Sequence, residues 1–382
     1  MTEFVPAEHR PRRYLSLFGA MALLAGVTTT PHAQEASKPA PDFATLEAEQ
    51  NAANSKHGPR SVPARVIPVP TTVSPGIAAL IAAPYSVPFW NANAKTPEEW
   101  KKLVAEINAT VEPWQPIIRK KLGVTIEKTT VGGVNAYVLT PKFIPRRNRN
   151  RLLLHFHGGA YIFFPGEAGT GEAALMAGFG GYKVISIDYR MAPDFPYPAA
   201  LDDAMAAYRA VLKMQKPRNV GVFGTSTGGG MTLAVMLRAK KEGVPLPGAI
   251  APGSPWADLT DTGDTYKTNE WVDNVIVSYE GLTKHAAALY AGGRDLKDPM
   301  LSPIYGDYKG FPPAILTSGT RDLLLSLTVL AHRKLRNANI DAQLQVFEGM
   351  SHAQYLYDMD APETREAFAE IAKFFDKHLG KK

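Results

Sequence analysis

From Gly123 onward, short apolar runs alternate with stretches of helical spacing, and this alternation constrains the fold more than any single residue. The runs at 152–156, 183–187, 219–223, 248–252, 314–318 and 342–347 read as buried strands. Helical patterns fall near 173–179 and over 198–215, 231–237, 323–337 and 362–378. Strands apolar on both faces must be covered on both, and helices between them bring successive strands in parallel. The expected class is therefore α/β, a mostly parallel central sheet with helices on both faces. An antiparallel hairpin precedes it, because 124–131 and 134–140 alternate and meet at Gly132-Gly133. In such sheets ligands sit beyond the carboxyl ends of the strands. Chemistry is therefore sought just after each run.

The sharpest candidate follows 219–223, where Gly224-Thr225-Ser226-Thr227-Gly228-Gly229-Gly230 sets one serine between glycines as strand turns to helix. A sharp turn of this kind exposes the hydroxyl, and neighbours without side chains let strand and helix approach closely. The five-residue Gly-x-Ser-x-Gly pattern alone arises by chance in about one chain in ten of this length. It needs support from elsewhere.

Three other strand ends supply it. His157-Gly158-Gly159-Ala160 follows 152–156, Asp322 follows 314–318, and His352 follows 342–347. A serine hydroxyl is a weak nucleophile that needs a base, and imidazole suits neutral pH. His352 takes that role. The base in turn needs a carboxylate to fix its tautomer and stabilise its charged form, which assigns Asp322. The order Ser226, Asp322, His352 is the one this sheet topology requires of a hydrolytic triad. The oxyanion formed on attack calls for backbone N–H donors, for which Gly158, Gly159 and Thr227 are placed. Taken singly, His352 fits a structural histidine and Asp322 a helix N-cap, a role it can serve as well. Their shared position after successive strands decides for chemistry. His157 is expected to brace its loop by hydrogen bonding, while His155 has no arguable role.

Composition limits the alternatives. The 382 residues, 45% apolar and 20% charged, allow one large domain with an elaboration or two domains. The net charge of +6 is scattered, and its densest basic run, 146–151, reads as a solvated turn rather than a nucleic-acid face. The absence of cysteine excludes disulfides, thiolate catalysis and cysteine metal sites.

At the amino end, Arg10, Arg12 and Arg13 precede an apolar run at 14–27 and then Pro31-His32-Ala33-Gln34. Residues 1–33 read as a secretory signal peptide cleaved near Ala33, with an uncleaved anchor as the alternative. The run falls short of the roughly 20 residues of a membrane span. The expected product is exported, periplasmic or secreted, with no stable span. Residues 34–75 are rich in Pro and Ala and read as a linker or extended segment. Residues 76–122 hold helices of an amino-terminal cap, one opened by Thr96 as N-cap, Pro97 and Glu99 as capping-box partner. A catalytic domain then spans 123–380, with an insert at about 256–300 that adds to the cap. Trp90, Trp100, Trp114, Trp256 and Trp271 all fall in the early helices or that insert. They make a cap core or an apolar pocket wall. Ala160, Tyr161, Trp256 and Trp90 are the pocket candidates. Oligomeric state is not legible.

The motifs His157-Gly158-Gly159-Ala160, Asp188-Tyr189-Arg190-Met191-Ala192-Pro193-Asp194, Gly224-Thr225-Ser226-Thr227-Gly228 and Ser254-Pro255-Trp256-Ala257-Asp258-Leu259-Thr260, with Asp322 and His352, resemble the hormone-sensitive-lipase-like branch of the α/β-hydrolases. The likeness covers roughly residues 123–379 and points to the subgroup with Thr before the nucleophile. It implies a bacterial carboxylesterase that cleaves short- and medium-chain acyl esters through an acyl-enzyme, without metal or cofactor, and a small-molecule ester as the partner. Two departures stand out. Ala160 replaces the third glycine usual in the loop, which puts bulky tertiary-alcohol esters in doubt, and Thr227 replaces an alanine, setting a branched polar side chain against the oxyanion site. Lactones, amides and aryl or xenobiotic esters stay open as substrates. The alternative from another class is a small-molecule binding protein that keeps the fold and has lost turnover.

Overall fold

The computed structural model describes residues 42–380; the segment read as a signal peptide lies outside them, as does the start of the segment read as a linker. The expected linker holds a helix, α1 (Phe43–Ala53), begun by Asp42, whose side chain accepts the Thr45 N–H at 2.9 Å. None of its residues is buried. A local cap rather than an apolar period starts it, so periodicity gave no sign of it.

Helices α2 (Pro75–Ile81), α3 (Pro97–Val111) and α4 (Trp114–Leu122) follow. Thr96 and Glu99 form the expected capping box on α3, which buries Trp100 and Ile107. Gly123 ends α4 with φ 64°, a left-handed cap that glycine adopts without steric cost. Strands β1 (Val124–Val131) and β2 (Val134–Pro141) then pair antiparallel across Gly132 and Gly133, both at positive φ as a tight hairpin turn requires.

The body alternates as β3 (Leu152–Phe156), α5 (Gly171–Gly180), β4 (Lys183–Ile187), α6 (Ala199–Met214), β5 (Val220–Thr225), α7 (Thr227–Lys241) and β6 (Ala249–Gly253). After short helices α8 (Thr265–Thr268) and α9 (Lys284–Ala291) come β7 (Ala314–Gly319), α10 (Leu325–Asn337), β8 (Ala342–Phe347) and α11 (Pro362–His378). The sheet has eight strands in the order β1-β2-β4-β3-β5-β6-β7-β8. It is parallel except that β2 runs antiparallel to both its neighbours.

Alternation along the strands feeds two cores. Leu152, Leu154, Val220 and Val222 point to one face, where residues of α6, α7 and α10 cover them. Leu153, Val184 and Phe223 point to the other, beneath α4, α5 and α11. At roughly 25 cal/mol per Å² of apolar surface, burial on both faces is the main stabilising term and fixes the strand ends that carry the site. Among the described residues no helix is long and apolar enough to cross a membrane.

Candidate active site

Ser226 stands between β5 and α7 with φ 63° and ψ −123°, a conformation that side chains rarely adopt. Its surroundings hold it there. Its N–H donates to Gly253 O at 2.9 Å, and its carbonyl accepts from Gly230 N at 3.0 Å and Trp256 N at 2.9 Å. The turn also requires its glycines. A Cβ on Gly224 would lie 2.0 Å from Phe156 O, and one on Gly228 would lie 1.9 Å from the same oxygen.

Below the turn, Glu172 at the start of α5 accepts the Thr225 N–H (3.0 Å) and hydroxyl (2.7 Å). Tyr355 meets the same hydroxyl at 2.7 Å. His155, without an arguable role in the sequence, lies between Glu172 (3.1 Å) and Ser186 (2.9 Å) and completes a buried polar network under the nucleophile turn.

His352 and Asp322 meet as expected: Nδ1 lies 3.0 Å from Asp322 Oδ1, and both residues are buried. Asp322 also accepts the Ser318 hydroxyl at 2.8 Å and the Leu324 N–H at 2.8 Å. The second bond closes a turn ahead of α10, and the capping position itself falls on Leu324. Burial opposes charge on His352, yet the Asp322 carboxylate, through its charge and hydrogen bond, and then Asp273 outweigh it and raise the imidazole pKa above 6.5. Burial likewise pushes Asp322 up, and His352 with the hydrogen bonds overcomes it, holding the carboxyl below its usual range. Ser226 and His352 line one pocket. No hydrogen bond joins them among the described residues; the serine hydroxyl and the imidazole share the pocket wall.

The loop after β3 is stiff. His157 Nδ1 donates to Gly158 O at 2.6 Å, its ring stacks on Tyr189 at 4.3 Å, and burial lowers its pKa to about 4, so the ring is neutral. Tyr189 donates to His157 O at 2.6 Å, and Arg190 is fixed by Asp203 through contacts of 2.7 to 3.1 Å. The Asp188 segment thus supports this loop. Gly159 has φ 115°, and Ala160 and Tyr161 follow at 58° and 60°. No backbone carbonyl among the described residues accepts from the N–H of Gly158, Gly159 or Thr227.

The pocket above Ser226 is largely apolar. Phe89 comes from the turn between α2 and α3, Val111 and Ile118 from α3 and α4, and Trp256, Val275, Ile276 and Leu282 from the insert. Ala160 and Trp256 are on its wall, but two other candidates are not. Tyr161 stacks on Tyr290 at 3.8 Å behind the loop, turned away by its left-handed backbone. Trp90 packs edge-on against Trp271 at 5.7 Å, and its carbonyl accepts the Leu282 N–H, so it joins the early segment to the insert. The side chain of Thr227 is fully buried and off the wall, which corrects the expectation that it stands against the oxyanion site. Opening α7 turns it inward under the loop.

Sequence patterns gave no signal for Asp273, a buried carboxylate of the insert that accepts the N–H of His352 at 3.1 Å. Nor did they flag Gln115, which lines the pocket while its Oε1 finds no partner among the described residues. Among those residues no cluster of three His, Asp or Glu could hold a metal.

Residues 153–356 match the family described as the alpha/beta hydrolase fold. An esterase of Acinetobacter venetianus is 31% identical over 227 residues, 59% of this chain and 74% of that protein. An acetyl-hydrolase of Streptomyces hygroscopicus is 31% identical over 232 residues, 60% of this chain and 77% of that one. Among solved structures, an esterase E25 superposes with a TM-score of 0.81 at 39% identity, covering 84% of this chain and 98% of its own. An esterase from the bacterial hormone-sensitive lipase family gives 0.64 at 29% identity, covering 75% and 100%. The chain belongs to the α/β-hydrolase family, in its hormone-sensitive-lipase-like branch. It is a carboxylic ester hydrolase of the kind that works through a Ser-Asp-His triad, and the alternative of a binding protein without turnover falls.

Proposed function

We propose that this chain is an exported esterase that cleaves short- to medium-chain acyl esters on Ser226, with His352 as general base and then acid and Asp322 orienting the imidazole. The observation that carries the reading is the 3.0 Å contact of His352 Nδ1 with Asp322, in the pocket that also holds Ser226 at its strained turn. Asp322 accepts a hydrogen bond from Nδ1–H and stays ionised, which fixes the tautomer with Nε2 free to take the proton of the Ser226 hydroxyl as Oγ attacks the ester carbon. The negative oxygen that develops is met by the N–H groups of Gly158, Gly159 and Thr227, each worth about 2.7–4 kcal/mol in a preorganised site. His352 then protonates the leaving alcohol, and water attacks the acyl-enzyme with the same base. Apolar walls on both sides of the pocket support an acyl chain of modest length, and Thr225 before the nucleophile supports the subgroup.

A panel of p-nitrophenyl esters from acetate to dodecanoate tests this. The expected optimum lies among the shorter chains, with all turnover lost in Ser226→Ala. A preference for the longest chains contradicts the substrate class.

A further inference from the structure

The insert that lines one side of the pocket carries a carboxylate that the hydrolytic scheme does not use. Asp273 is fully buried, and its two oxygens face different parts of the site. Oδ1 accepts the N–H groups of Val275 at 2.8 Å and Ile276 at 3.1 Å, two residues of the pocket wall. Oδ2 accepts the N–H of Leu323 at 2.8 Å and of His352 at 3.1 Å, the residue after the triad acid and the triad base itself. An ionised carboxylate offers about four lone-pair sites, and here four backbone donors fill them. Burial of such a charge is tolerated where it is hydrogen bonded in this way. The next residue adds to the tie, since Asn274 N–H donates to the Ser351 hydroxyl at 3.2 Å.

We propose that Asp273 is a positioning residue that holds the pocket wall with one oxygen and the loops bearing Asp322 and His352 with the other, so that one carboxylate sets both substrate fit and triad geometry. This rests on the assignment of Ser226, Asp322 and His352 above. Displacement of a catalytic group by about 1 Å can cost on the order of a hundredfold in rate, so four bonds shared between wall and triad are functionally significant. The carboxylate also acts through its charge. The titratable groups facing it are Asp322, His352 and Tyr357. Burial and the like charge of Asp322 push Asp273 up to about 6, against the pull of His352, and in its ionised form it joins Asp322 in favouring the imidazolium.

Asp273→Asn tests the proposal, because it keeps the shape and one acceptor oxygen while removing the charge and setting an amide donor against backbone N–H groups. We expect kcat on p-nitrophenyl butyrate to fall about tenfold or more, and the acid limb of kcat/KM to move to lower pH as His352 loses one of two stabilising charges. Asp273→Ala, which releases both sides, should also shift the preferred acyl length. An acid limb that stays at its native position in Asp273→Asn overturns the proposal whatever the change in rate, since a merely structural role leaves the limb in place. The comparison uses only activity that Ser226→Ala abolishes, so persistence of activity in that variant marks failure of the triad assignment instead. Should Asp273→Asn not fold, amide hydrogen exchange in the native protein decides. The Val275, Ile276, Leu323 and His352 amides should lose protection together on acidification through about pH 6. Loss at Leu323 and His352 with Val275 and Ile276 still protected overturns it.

Discussion

Glu172 grips Thr225, the residue before the nucleophile, with both carboxylate oxygens: one accepts the Thr225 hydroxyl at 2.7 Å and the other its N–H at 3.0 Å. A hydroxyl has one proton. Since Thr225 gives it to Glu172, Tyr355 must be the donor in its 2.7 Å contact with Thr225. Thr225→Val preserves shape and removes both bonds, leaving a buried carboxylate oxygen unmet and the Tyr355 phenol with Ser254 alone. The expected loss is about 1–3 kcal/mol, read from the urea midpoint, with a lower kcat as the turn loosens. A midpoint equal to the parent's would show that the network does not hold the turn.

The pH profile follows from His352. Only the neutral imidazole accepts the serine proton, and Asp322 with Asp273 raises its pKa above 6.5 against the effect of burial. Activity should therefore fall as pH drops through a midpoint above 6.5. Asp322→Asn removes the partner that fixes the tautomer, and in a serine protease that change costs about 10⁴ in kcat. Rate measurements from pH 5 to 9 on both forms check this. A native midpoint well below 6.5 contradicts the arrangement.

Ala160 occupies a position with φ 58° on the pocket wall, where the family's loop usually has glycine. A left-handed backbone costs a side-chain-bearing residue about 1–2 kcal/mol, and glycine gives back about 0.5–1 kcal/mol through the entropy of its unfolded chain. Ala160→Gly should thus raise stability by between about 0 and 1.5 kcal/mol while opening the wall. The gain should appear in kcat/KM for tert-butyl esters relative to n-butyl esters. An unchanged ratio removes Ala160 as a determinant of alcohol size.

Gln115 is almost wholly buried on α4, with its Oε1 unmatched among the described residues. An amide oxygen held from water without a partner costs about 1–3 kcal/mol. Gln115→Leu, similar in size, should raise the unfolding free energy by about 1 kcal/mol, measured by denaturant titration. A drop in stability would show that the amide is matched.

Much of this was legible in the sequence because each feature had a local signature. The nucleophile turn, the loop after β3, Asp322 and His352 all lie at strand ends, and strands show themselves as apolar runs. The features that escaped had no such signature. Asp273 sits in an irregular insert and meets its partners 50 and 79 positions along the chain. Pairing at that separation leaves no periodic trace. Tyr161, Trp90 and Thr227 were placed by residue type and neighbourhood, which cannot tell which way a side chain turns. Two consecutive left-handed residues at Ala160 and Tyr161 decide it for Tyr161, the start of α7 for Thr227, and the contacts with Trp271 and Leu282 for Trp90.

The central claim is that Ser226 is the nucleophile, and stoichiometric labelling with an ethyl p-nitrophenyl phosphonate tests it most directly. Mass spectrometry of the labelled, digested protein should find one adduct per chain on Ser226, appearing in step with the loss of p-nitrophenyl butyrate hydrolysis. Ser226→Ala should take no label and show no turnover. An adduct on another residue, or hydrolysis at the parent rate in Ser226→Ala, would contradict the account.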